Sequence, residues 1–121
     1  MILPLINGKT YIVRLTSLYQ IIYKKRFDET IIIPFLQFGI YFKHAFNKYG
    51  EIKLAACILY HFEQNGEAII QAKFPIWWII KKIPQYLEEI RNKYEVDVDN
   101  EEALYQALKG RIEYLDIPFP L

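Results

Sequence analysis

Three residues raise the first chemical question. Glu51 and Lys53 stand two apart in "GEIK", and Asp28 lies upstream in "RFDET". On a strand, residues i and i+2 share a face, so a carboxylate and an ammonium would project together. Two acidic groups can hold a divalent metal that activates water, and a neighbouring lysine can assist the attack. Brought together, Asp28, Glu51 and Lys53 would have the groups for metal-assisted hydrolysis. The plainer alternative is a pair of solvated charges at a strand edge, and on that alternative no residue is catalytic. Cys57 and His61 are four apart, which chelates on a helix but separates them by about 13 Å on a strand. With only His44 besides, a closed four-ligand zinc site does not assemble. The acids of "DVDNEE" (97–102) alternate like the start of a calcium loop. The glycine at its sixth position and the glutamate at its twelfth are missing. There is no glycine-rich phosphate loop and no nucleophile elbow. The expectation is a chain that leans away from catalysis, with no metal, no cofactor and no small-molecule substrate.

Two short resemblances accompany these residues. "AFNKYGEI" (45–52) resembles the helix-to-strand junction of RNA-recognition-motif domains, and "TYIVRL" (10–15) resembles their first strand. The resemblance implies a βαββαβ order, with Tyr11 and a residue of 68–72 stacking on bases. Where that family carries aromatics, this chain has Ala68, Ile69, Ile70 and Gln71. The Glu51-x-Lys53 pair with Asp28 is similar to the PD-(D/E)xK nucleases, although no Pro-Asp dipeptide is present, and the resemblance implies a metal-dependent nuclease with Asp28, Glu51 and Lys53 as its catalytic set. Each covers a dozen residues or fewer, and neither assigns the chain to a family.

Surfaces are more informative. "FPIWWIIKKIP" places Trp77 and Trp78 beside Ile79 and Ile80, and four consecutive apolar residues on a helix point nearly all round. One tryptophan therefore falls outside the core, and Trp is enriched at interface hot spots. Phe119, in the apolar tail "IPFPL", needs a docking surface too. The leading expectation is a small non-catalytic binding protein that meets a protein partner or itself, as a homodimer, through Trp77, Trp78 and Phe119. On that expectation Trp78→Ala weakens the complex. The alternative is nucleic-acid binding through Lys9, Arg14, Lys24, Lys25, Arg26, Lys81 and Lys82, which would show a steep salt dependence. Charge supports either. Residues 1–82 hold eleven Lys and Arg against five Asp and Glu, a net +6, and residues 83–121 hold four against nine, a net −5. A compact fold that mixes the two ends would cancel them.

The elements that must position these groups follow from punctuation and periodicity. Asn7-Gly8 fits a two-residue hairpin turn before a strand over 10–15. Ser17 and Gln20 have capping-box spacing, and Leu18, Ile21 and Ile22 follow at helical intervals. Pro34 suits the first turn of a second helix, Phe35, Phe38, Phe42, Ala45 and Tyr49 give it an apolar face, and Gly50 stops it. Residues 51–74 form a hairpin about Asn65-Gly66, although Leu54, Cys57, Ile58, His61 and Phe62 also fit a helical stripe. Pro84 ends or kinks the next segment, with Tyr86, Leu87, Ile90 and Tyr94 as a stripe beyond it. Asp99 and Glu102 start a last helix that Gly110 ends, and 111–117 alternate as a final strand. The expected fold is an α+β, split βαββαβ (ferredoxin-like) sandwich, with one domain over 1–121 and an extended Pro-containing tail at 118–121. One cysteine forms no internal disulfide, and "MILPLING" lacks a signal-peptide pattern. The window Ile31–Phe46 is too interrupted for a membrane span. A cytoplasmic protein is expected, in the interior of a host cell if its Ile-, Lys- and Tyr-rich composition reflects a viral or mobile-element source.

Overall fold

The computed structural model describes the backbone of residues 11–33 and 35–114. It consists of helices: α1 (Tyr11–Phe27), α2 (Phe35–Phe62), α3 (Glu67–Gln71), α4 (Ile76–Tyr94) and α5 (Glu101–Tyr114). No strand occurs among the described residues. The expected α+β, ferredoxin-like sandwich is therefore corrected to an all-α architecture over this region. The Asn7-Gly8 turn, Lys9 and the tail at 118–121 lie outside the described residues.

Each lost strand has a physical reason. The apolar residues of "TYIVRL" continue into Leu18, Tyr19, Ile22 and Tyr23. With Leu15, these repeat at three and four residues, and all five are buried. A single helical stripe accounts for them. Helix α1 starts at Tyr11, well before Ser17, so no capping box operates there. In the 51–74 segment, residues 51, 52 and 54–62 are all buried. A strand exposes one face in an open antiparallel sheet, whereas a helix buried on every side is apolar all round. Asn65-Gly66 makes no type I′ turn, which needs positive φ at both residues. Gly66 has φ −65° and ψ 142° and precedes α3 as its N-cap. At the C-terminal end, α5 runs through Gly110 to Tyr114, which removes the start of the strand expected at 111–117.

Gly50 interrupts α2 with φ 83° and ψ 169°, a backbone region that essentially only glycine visits. It divides α2 into 35–49 and a central rod, 51–62, against which the remaining long helices pack. Helix α1 runs parallel to the rod, from Arg14 at Glu51 to Arg26 at the Phe62 carbonyl. Helix α4 runs antiparallel: Pro75 meets His61, while Arg91 and Lys53 share Asp99. Helix α5 is parallel, ending with Arg111 on Glu63. Asn100 caps α5, its Oδ1 accepting from the Ala103 N–H at 3.1 Å. Pro84 sits inside α4 on its exposed face, so the chain passes through it without ending. No described helix is long and apolar enough to cross a membrane.

Candidate functional site

The structure separates the three residues of the nuclease reading. Glu51 opens the central rod and is 4% exposed. Arg14 grips it in a fork, Nε donating to Oε2 at 2.8 Å and Nη2 to Oε1 at 2.6 Å. That bond, and the carboxylate's charge, raise the Arg14 pKa above its usual range. Lys53 points elsewhere, donating to Asp99 at 3.1 Å, because residues two apart on a helix do not share a face. Asp28 is exposed at the far end of α1. It lies fourteen residues from Arg14, about 21 Å at helical rise.

The nucleophilic and metal-binding candidates are taken up by the core. Cys57 is fully buried, and burial pushes its thiol up to about 12. His61 is also fully buried. Its Nε2 lies 2.9 Å from the Pro75 carbonyl and its Nδ1 lies 2.7 Å from the Tyr86 hydroxyl. A carbonyl only accepts, so Nε2 carries the proton and Nδ1 accepts from Tyr86. Burial lowers the His61 pKa to about 4. No group of three metal-ligating side chains occurs among the described residues. Tyr19 donates to the Phe74 carbonyl at 2.7 Å. Lys73 and Phe74 both have positive φ, 58° and 53°. The buried Phe74 ring, packed on Phe62, Phe27 and His61, holds that unusual turn in place.

The surface candidates divide as well. Trp77 is 56% exposed, whereas Trp78 is half-buried against the core. Phe119 lies outside the described residues, as does Lys9. Arg14 is spent on Glu51, and Arg26 donates to the Phe62 carbonyl at 2.7 Å while lying over the Phe74 ring. Lys24 and Lys25 are exposed on the last turn of α1, and Lys81 and the half-buried Lys82 belong to α4. The charge asymmetry of the sequence is partly cancelled in space, since Asp99 pairs with Lys53 and Arg111 with Glu63.

The outer face of α4 carries a regular stripe. Trp77, Lys81, Pro84, Glu88 and Arg91 are all exposed, and their spacing of three or four keeps them on one stripe. Arg91 contacts Glu88 at 3.5 Å and Asp99 at 3.3 Å. Sequence reasoning found the tryptophan but missed the stripe. Its signal was the interval of seven between Lys81 and Glu88, centred on Pro84 and Gln85. The chain matches no family model, no curated protein and no solved structure.

Proposed function

We propose that the chain is a binding protein that self-associates, with α4 of one copy lying antiparallel against α4 of a second. The observation that carries this is Trp77, 56% exposed at the head of an ordered helical stripe. An exposed tryptophan exposes a large apolar area to water, and Trp is a preferred interface anchor. The stripe is also self-complementary. A two-fold axis between Pro84 and Gln85 sets Lys81 opposite Glu88 of the second copy, twice over. The same axis brings Trp77 within one residue of the level of Arg91 of the second copy, near enough for a cation–π contact. The stripe spans about 21 Å at helical rise, short of a standard-size interface, so a micromolar dimer is expected.

Sedimentation equilibrium tests it. The wild-type chain should dimerise in the micromolar range, and Trp77→Ala should weaken the dimer by about tenfold or more. Lys81→Glu should dissociate it, and Lys81→Glu with Glu88→Lys should restore it. Residues seven apart do not pair within one helix, so rescue requires the second copy. A wild-type monomer up to about 100 µM, or a double variant as weak as the single one, overturns the proposal.

A further inference from the structure

A cleft opens where α1, the central rod and α5 all end. Its mouth is cationic. Lys25 and Arg26 stand on the last turn of α1 and Arg111 on α5, with Gln64 and Asn65 on the turn after the rod. Its floor is apolar, built from Ile22, Leu59 and Phe62. The volume, about 450 Å³, is within the range of small-molecule sites. Behind it lies a second, almost wholly apolar cavity of about 40 Å³ between the rod, α4 and α5. The two spaces share Leu59, Glu63 and Arg111, so the Glu63–Arg111 pair stands at the boundary between charged mouth and apolar interior.

Among the described residues one carboxylate lines the mouth, and it is already neutralised. Glu63 accepts from the Tyr94 hydroxyl and pairs with Arg111 at 2.7 Å and Lys93 at 4.0 Å. The two guanidinium groups are held in place before any ligand arrives. Arg26 is fixed by the Phe62 carbonyl and the Phe74 ring, and Arg111 by Glu63. A guanidinium has five donors, and Arg26 gives one of them to that carbonyl. Capping the carbonyl end of the rod explains Arg26, and balancing Glu63 explains Arg111. Lys25 is explained by neither, and it faces the same opening.

We infer that this cleft binds a small amphiphilic anion, a phosphate or carboxylate head on a short apolar tail. The head would sit among Lys25, Arg26 and Arg111, where preorganised donors reduce the ordering cost of binding. The tail would lie over Leu59 toward the apolar cavity, which is too small for a bulky group. This inference is independent of self-association, since none of its residues is on α4's outer stripe.

Calorimetric titration with hexyl phosphate, hexanoate, inorganic phosphate and acetate tests it. One hexyl probe should bind saturably at one site per chain, at about 1 mM or better. It should bind about tenfold or more tightly than its tail-less head, because each buried methylene adds to affinity. Hexyl phosphate against hexanoate identifies the head. Lys25→Glu should weaken binding about tenfold, while Lys43→Glu, the same charge change on the exposed flank of α2, should leave it within about twofold. Lys25 is exposed, so its replacement leaves the core intact. Three outcomes overturn the inference: no saturable binding, equal affinity with and without the tail, or equal weakening by both lysine variants.

Discussion

His61 is neutral in the fold because it is sealed from water, and the neutral ring then donates from Nε2 to the Pro75 carbonyl and accepts at Nδ1 from Tyr86. Its pKa, about 4 against an ordinary 6.5, makes stability depend on pH with a definite sign. Between those values the unfolded chain binds more protons than the native one, so stability rises with pH. The contribution is complete above pH 6.5 and is lost as pH falls toward 4. A difference of that size corresponds to about 3 kcal/mol. His61→Gln should remove this slope in denaturant titrations run from pH 4 to 7, while costing about 1–3 kcal/mol at neutral pH. A variant retaining the wild-type slope would assign it to the carboxylates instead. The ion pair of Arg14 with Glu51 should behave differently. Arg14→Met leaves a carboxylate that is only 4% exposed without its fork, and should cost about 3–5 kcal/mol at pH 7. Asp99→Asn breaks only exposed pairs and should cost less than about 1 kcal/mol. Urea denaturation of both variants would measure the contrast. The sequence showed the interval of four between Cys57 and His61. It did not show Arg14 meeting Glu51, since the two are thirty-seven residues apart and only the parallel packing of α1 brings them together.

At the scale of elements, Gly50 is the residue whose backbone matters most. A Cβ there would meet nothing within 4 Å, so Gly50→Ala tests conformation free of steric clash. With φ 83° and ψ 169°, the substitution should cost about 1–3 kcal/mol with little change in helical circular dichroism. An unaltered midpoint would mean the backbone break carries no constraint. Gly50 was legible as an interruption, and the apolar face of α4 beyond Pro84 was legible from its spacing. The hairpin expectation had a local physical basis, since Asn-Gly is a strong turn signal and an Ile-rich run follows it. Tertiary burial overrode that signal. A rod covered by three helices needs apolar side chains in all directions, and such a run loses the period that distinguishes helix from strand. Pro84 does not end α4, because its missing N–H falls on the wet side of the helix, where water can satisfy the carbonyl it leaves unpaired.

For the whole molecule, the helix packing converges on the rod: α1, α4 and α5 each lie against α2. Such an arrangement should unfold as one unit over the described helices. Ile58 is fully buried at the middle of the rod, and Ile58→Ala should cost about 2–5 kcal/mol. Tryptophan fluorescence, which reports α4, and far-ultraviolet dichroism, which reports all helices, should keep coincident transitions in that variant. Separated transitions would show that an outer helix stands by itself. The division between charged halves of the chain is also softened at this scale, through Asp99 on Lys53 and Glu63 on Arg111. What the linear sequence presented as a basic body and an acidic end is, in part, a set of ion pairs around one rod.

Cys57 sits fully buried on that rod, its thiol pushed up to about 12. At neutral pH it is nearly all thiol, and thiolate is the form that alkylating reagents attack. Iodoacetamide can therefore modify the native chain only at moments when the rod opens. The chain thus carries its own timer: the rate of alkylation of one native sulfur counts openings of the innermost helix, without an added label.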